Sequence, residues 1–192
     1  TGESSTTGAF PLAPQNHILS EDLTRELEAG HEDLGWLAKS GRLALGYLHD
    51  EAKTKKTYPV VNGIRYVVPG DRARLTADNM IEVHGRDSVT INSGGEKIFA
   101  EEVEAAVKAH PDVYDCVVAG RPSERWGNEV VAVVRLKDGA QQNEQALLTE
   151  AEKHIARYKL PKAFVFVPAI VRSPAGKADY RWAKQTALDA AQ

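Results

Sequence analysis

Cysteine, methionine, aromatic residues and long apolar runs are all scarce in this sequence. There is one cysteine, Cys116, so no internal disulfide forms, and the six histidines are scattered without zinc-binding spacing. No metal-ligand set is expected. A reducing, cytoplasmic home is the simplest expectation for so little cysteine. No apolar run nears the roughly 18 residues that a membrane span needs, so no transmembrane segment is expected. The one methionine is Met80, the first residue is Thr1, and no charged-then-apolar signal segment opens the chain. The expectation is a processed chain or a fragment whose missing motifs lie upstream. Basic residues are not in excess: 24 Lys and Arg face 27 Asp and Glu, a formal charge of -3, which argues against a nucleic-acid binder. The familiar nucleotide and hydrolase signatures are missing too. Gly176-Lys177 offers the Gly-Lys pair of a Walker loop, but Val171 stands where its first glycine belongs and Ala178 where its hydroxyl belongs. There is no Gly-x-Gly-x-x-Gly and no Gly-x-Ser-x-Gly elbow.

What is present suits a folded protein, since 42% of the residues are apolar. Residues 1–16, rich in Gly, Ser, Thr and Pro, read as an extended loop. Residues 22–28 have helical spacing, with Leu23 and Leu27 four apart. Residues 34–39, 43–48 and 64–68 read as short strands. Residues 50–58 form a helix opened by Asp50 and stopped by Pro59. Strands at 72–75 and 80–84 flank a turn at 76–79. After Gly85 the pattern changes. A hairpin is expected around Ser93-Gly94-Gly95, between 89–91 and 97–99. A helix over 101–110, strands at 113–119 and 130–136, a long helix over 143–157, a strand at 163–167 and a helix over 181–191 follow. The second half is thus a small α+β domain of a size that folds independently.

Four features carry potential chemistry, and each has a plain structural alternative. Asp71, after Pro69-Gly70 at a strand end, suits the two hydroxyls of a ribose, one per carboxylate oxygen; it equally reads as a simple turn. Arg86, in Gly85-Arg86-Asp87, suits a phosphate or ribose through its planar fork, or is a solvated arginine. Ser93-Gly94-Gly95 allows a ligand close to the backbone, or only makes the hairpin turn. Lys177, on the glycine-containing loop 172–177 between strand and helix, places a point charge on a flexible stem that suits an anionic centre, or is an exposed loop lysine.

In order and spacing these features resemble the closing segments of the ANL superfamily of adenylate-forming enzymes: acyl-CoA synthetases, peptide-synthetase adenylation domains and luciferases. The resemblance runs from about Leu34 to Trp182. It includes Gly70-Asp71, Gly85-Arg86-Asp87-Ser88-Val89, Ser93-Gly94-Gly95-Glu96-Lys97-Ile98 and Glu101-Glu102-Val103-Glu104. It continues through His110-Pro111-Asp112-Val113 and Ala156-Arg157-Tyr158-Lys159-Leu160-Pro161-Lys162 to Ser173-Pro174-Ala175-Gly176-Lys177. Residues 87–104 and 178–182 look most like bacterial fatty-acid–CoA ligases of actinobacterial type. The fold it implies is α+β: a barrel-like β subdomain closing a large AMP-binding domain (1–85), then a small α+β lid domain (86–192). It also replaces the helix at 22–28 by strand, turn, strand.

The resemblance implies roles. Asp71 holds the ribose hydroxyls, Arg86 contacts ribose or α-phosphate, and Val83 packs on the nucleoside. Asp87 is the hinge between domains. Ser93, Gly94 and Gly95 line the pantetheine path, and Lys177 serves adenylation. Substrates would be a carboxylic acid, ATP with magnesium, and CoA. Most of the ATP site, its phosphate loop and the acyl pocket would lie in the missing large domain, leaving this chain inactive alone and the acid unnamed. Glu3-Ser4-Ser5-Thr6-Thr7-Gly8 resembles that loop in composition only. Pro69, Asn92 and Ala175 depart from the usual Thr, Lys and Ser, and Asn92 weakens a thioester-step role at that position. The alternatives are an acyl-AMP ligase or peptide-synthetase adenylation domain of the same fold, and a non-catalytic binding module.

Overall fold

The computed structural model describes residues 8–191, which fall into two compact units meeting in sequence between Ser88 and Val89. The expected loop over 1–16 lies outside the described residues as far as Thr7.

The first unit is built on a five-stranded antiparallel sheet in the order β1-β7-β6-β3-β2. Its strands are β1 (Gly8–Pro11), β2 (Asn16–Leu19), β3 (Gly35–Lys39), β6 (Asp71–Leu75) and β7 (Met80–Arg86); a small hairpin, β4 (Val60–Val61) and β5 (Ile64–Arg65), lies between. The barrel-like subdomain is thus an open sheet among the described residues. Alternation along the strands sends side chains to two cores. Ile18, Leu27, Ala73, Leu75 and Ile81 form one, and Leu19, Ala38, Val61, Tyr66 and Val68 the other. Helix α1 (Glu51–Thr57) starts where the Asp50 side chain accepts the Lys53 N–H at 2.9 Å and ends before Pro59.

Three expectations fail here. Residues 8–11 are not loop, because Phe10 joins the first core and β1 completes the sheet edge, where Pro11 is tolerated. Residues 43–48 are not a strand. Arg65 takes the Ala44 and Leu45 carbonyls at 2.9 and 2.7 Å, and Leu45 and Leu48 are 95% and 87% exposed, so no face is buried. Residues 22–28 form a turn. Leu23 has φ 58°, and the Ser20 hydroxyl accepts the Thr24 and Arg25 N–H groups. A single bridge, Leu19 to Glu26, is all that remains of the second strand implied there.

The second unit centres on a three-stranded sheet, order β10-β11-β12, after a hairpin of β8 (Thr90–Ser93) and β9 (Glu96–Phe99). β10 (Val113–Ser123) and β11 (Gly127–Leu136) are antiparallel, and β12 (Ala163–Phe166) runs parallel to β11. Both strands outlast the apolar runs that announced them, because Arg121 and Glu129 pair directly opposite each other at 2.6 Å. The valines of β10 and β11 are buried on both faces, which explains their unbroken apolar sequence. One face packs with α2 (Ala100–Lys108) and α3 (Glu144–Ala151). The other takes α4 (Tyr180–Asp189) through Ala183, which packs with Val117, Ala119 and Val133. Helix α3 is shorter than expected. After Ala151 the chain tightens, with His154 N–H on the Ala151 carbonyl, so that Ile155 and Leu160 still reach the core. Lys159 then meets buried Glu102 of α2 at 2.7 and 2.8 Å. No described helix is long and apolar enough to cross a membrane.

Gly35 tests the packing of the first unit. A Cβ there would lie 2.3 Å from the Leu19 carbonyl oxygen and 2.6 Å from Ile18 Cγ2. Gly35→Ala is expected to destabilise this unit by about 1–3 kcal/mol or more. Urea unfolding followed by fluorescence of Trp36, with Trp126 and Trp182 changed to Phe in both proteins, checks it.

Candidate functional site

The residues singled out by sequence fall on both units, and each group is described by itself. In the first unit, Asp71 opens β6 directly after Gly70, whose φ of 101° favours glycine. Register pairs Asp71 with Arg86, Ala73 with Val83 and Leu75 with Ile81, leaving His84 as an extra residue in β7. This bulge resets the alternation, so Asp71, Val83 and Arg86 share one face of the sheet. Arg86 Nε donates to Asp71 Oδ1 at 3.0 Å. The pair is 53% and 23% exposed, and so open an ion pair stabilises by only about 0–1 kcal/mol. Val83 packs against the Ile18–Ile81 core, with its side chain half-buried. Asp87 is exposed, and its N–H donates to the Gly70 carbonyl at 3.0 Å. Beside it opens a cleft of about 370 Å³ lined by Trp36, Lys53, Lys56, Pro69 and Gly70.

In the second unit, Gly94 and Gly95 form the two-residue turn between Ser93 and Glu96, with φ of 59° and 90°. Two consecutive left-handed residues define the hairpin turn that glycine serves best. Ser93 is buried and both glycines are exposed. The Gly94 N–H donates to the Trp126 carbonyl at 2.9 Å, and a Cβ at Gly94 would stand 3.1 Å from the Trp126 ring. The exposed strip is therefore bare backbone backed by an aromatic wall.

Lys177 lies on an exposed loop closed on itself. Ser173 N–H donates to the Lys177 carbonyl and Gly176 N–H to the Ser173 carbonyl, both at 2.8 Å, and Arg172 bridges to Ala178. Among the described residues no acidic side chain holds the Lys177 ammonium. Asp179 then caps α4 by accepting the Arg181 and Trp182 N–H groups at 3.0 Å.

Sequence reading missed the groups behind this loop. Arg172 donates to both oxygens of Asp115, at 2.9 and 2.7 Å. Desolvation alone would raise the Asp115 carboxyl, but the Arg172 hydrogen bonds and charge, with the Cys116 N–H, hold it below the usual range. Glu104 accepts the buried Val118 N–H at 3.0 Å. Burial pushes Glu104 up to about 6 and, with Glu104 and Glu101 nearby, raises Tyr180 as well. Burial also raises the Cys116 thiol, and Glu104 adds to that. One signal for Glu104 was in the sequence: it shares the stripe of Ala100, Val103 and Val107, where a carboxylate needs a buried donor. Among the described residues no three His, Cys, Asp or Glu side chains converge to hold a metal ion.

Residues 102–177 match the AMP-binding enzyme C-terminal domain. The second unit thus carries an AMP-binding enzyme C-terminal domain. More particularly, the chain is 61% identical over 183 residues to the medium-chain acyl-CoA ligase Mig of Mycobacterium avium, covering 95% of this chain and 33% of that one. It is 53% identical over 172 residues to the 3-oxocholest-4-en-26-oate–CoA ligase of Rhodococcus rhodochrous, covering 89% and 31%. Among solved structures, ATP-bound MatB of Rhodopseudomonas palustris superposes with a TM-score of 0.80 at 25% identity, over 98% of this chain and 37% of that one. The chain thus spans about a third of the length of these relatives.

The Glu104 environment has a pH signature. Its folded pKa of about 6 exceeds the ordinary carboxyl value of 4.5, so its favourable contribution is complete below about pH 4.5 and lost as pH rises through 6. Glu104→Gln keeps the acceptor for Val118 without the charge. Its stability relative to the parent is expected to rise by about 2 kcal/mol between pH 4.5 and 7 and to be flat above. Urea unfolding at a series of pH values checks this, and a pH-independent difference would refute it.

Proposed function

We propose that this chain is the closing portion of an ATP-dependent fatty-acid–CoA ligase. The carboxylate would attack the α-phosphate of ATP to give acyl-adenylate and pyrophosphate, and CoA thiol would then displace AMP. The observation that carries the reading is Lys177, on an exposed, self-closed loop where no acidic side chain among the described residues holds it. The 61% identity of the chain to a medium-chain acyl-CoA ligase supports it.

Two anions meet in the first half-reaction, and charge grows on the phosphorus oxygens. A lysine ammonium placed between them stabilises that state more than the separated reactants. Asp71 would take the ribose hydroxyls and Arg86 the adjoining ribose or phosphate oxygens, with Val83 on the same sheet face forming the apolar floor. In the second half-reaction the glycine turn would replace the lysine. Bare backbone at Gly94 and Gly95 lets a narrow pantetheine arm pass close, with Ser93 beneath. A rotation about Asp87 would exchange the two faces. The domain division is read at 85/86, as the resemblance has it. ATP with magnesium would be bound mainly by the upstream domain. The acid is of fatty or sterol side-chain type, by likeness to the named relatives.

The test uses the full-length protein, following pyrophosphate release from ATP with a panel of carboxylic acids. Lys177→Ala is expected to slow adenylation by about 100–1000-fold while sparing conversion of supplied acyl-adenylate to acyl-CoA. Gly94→Val is expected to show the reverse, because a side chain there meets both the left-handed backbone and Trp126. Adenylation that survives loss of Lys177 would refute the assignment. CoA-independent turnover would point to an acyl-AMP ligase, and no acid-dependent chemistry at all to a binding module.

A further inference from the structure

The loop that carries Lys177 has little to hold it in place. Ser173, Pro174, Ala175, Gly176 and Lys177 are all exposed, and its internal hydrogen bonds fix its shape but not its direction. Direction comes from Arg172. Its Nη1 donates to the Gly176 carbonyl at 3.0 Å, the peptide unit immediately before Lys177. Its Nε and Nη2 hold the two oxygens of Asp115 on β10. Asp115 is in turn fixed, because its Oδ1 accepts the Cys116 N–H at 2.9 Å and it sits 16% exposed beside the fully buried Cys116. One planar guanidinium thus bolts the lysine loop to the central sheet, and a planar fork does this better than a lysine could.

We propose that Arg172 and Asp115 are positioning residues for adenylation, setting where the Lys177 ammonium points; the proposal rests on the reading of Lys177 above. A displacement of about 1 Å in a group that meets the transition state costs on the order of 100-fold in rate. Neither residue belongs to an apolar core, and the thioester-forming face at Gly94 and Gly95 lies on a different turn of the unit. The pair therefore governs one half-reaction and not the other.

The experiment compares Arg172→Gln, Asp115→Asn, the double variant, Arg172→Lys and Lys177→Ala in the full-length protein, each assayed separately for pyrophosphate release and for conversion of supplied acyl-adenylate to acyl-CoA. Asp115→Asn retains an acceptor for the Cys116 N–H. Arg172→Gln and Asp115→Asn are expected to lower kcat for adenylation by roughly 10- to 100-fold, with KM for ATP and the thioester step within about twofold of the parent. The double variant is expected to be no worse than the poorer single one, since the two residues act as a unit. Arg172→Lys, which keeps the charge without the fork, recovers only part of the rate. If Lys177→Ala abolishes adenylation while the clamp variants stay within about twofold of the parent, the clamp is wrong and the lysine assignment stands. If both half-reactions fall together, the pair is merely structural and the proposal is overturned. If Lys177→Ala retains adenylation, the underlying reading fails and takes the clamp with it.

Discussion

A strand at the edge of a sheet and buried in the protein must find acceptors for its outward amides. β10 is such a strand, paired with β11 on one side only. Its Val118 N–H is met by Glu104 and its Cys116 N–H by Asp115. Leaving either amide unmet would cost on the order of 1–3 kcal/mol, so the carboxylates are structural necessities first. Asp115 also reaches onward to hold Arg172, so the segment bearing Lys177 is moored to this edge.

That arrangement reconciles two opposed demands. The lysine has to be exposed if it is to meet a substrate held elsewhere, and an exposed loop has few apolar contacts to order it. Hydrogen bonds to charged groups are the remaining means, and they are strong when one partner is sheltered from water. Asp115 is sheltered and Arg172 half so. The Asp71–Arg86 pair in the first unit shows the opposite regime, since its arginine is more than half exposed to solvent.

The second unit was largely readable from sequence because its elements announce themselves locally. Val130 to Val134 is a run that only a doubly covered strand tolerates, Gly94-Gly95 demands a tight hairpin, and Pro111 follows α2. The first unit was less so. Phe10 and Ile18 reveal strands only through partners distant in the chain, and Leu43 to Leu48 has a strand's composition with no face to bury. The candidate lysine and glycines were legible through order and spacing along the chain. Their supports were not: Asp115 and Arg172 are 57 residues apart, and no local pattern links them. The bulge at His84, which brings Arg86 onto the face of Val83, is likewise a property of pairing rather than of composition.

The single thiol of this chain is a built-in probe of the second unit. Cys116 is wholly buried between sheet and helix, and its surroundings disfavour the thiolate that reacts with disulfide and alkylating reagents. In the folded state it is therefore silent to a colorimetric sulfhydryl reagent. A signal from this segment would report its unfolding, so such a reagent serves as a sensor of the integrity of the edge strand.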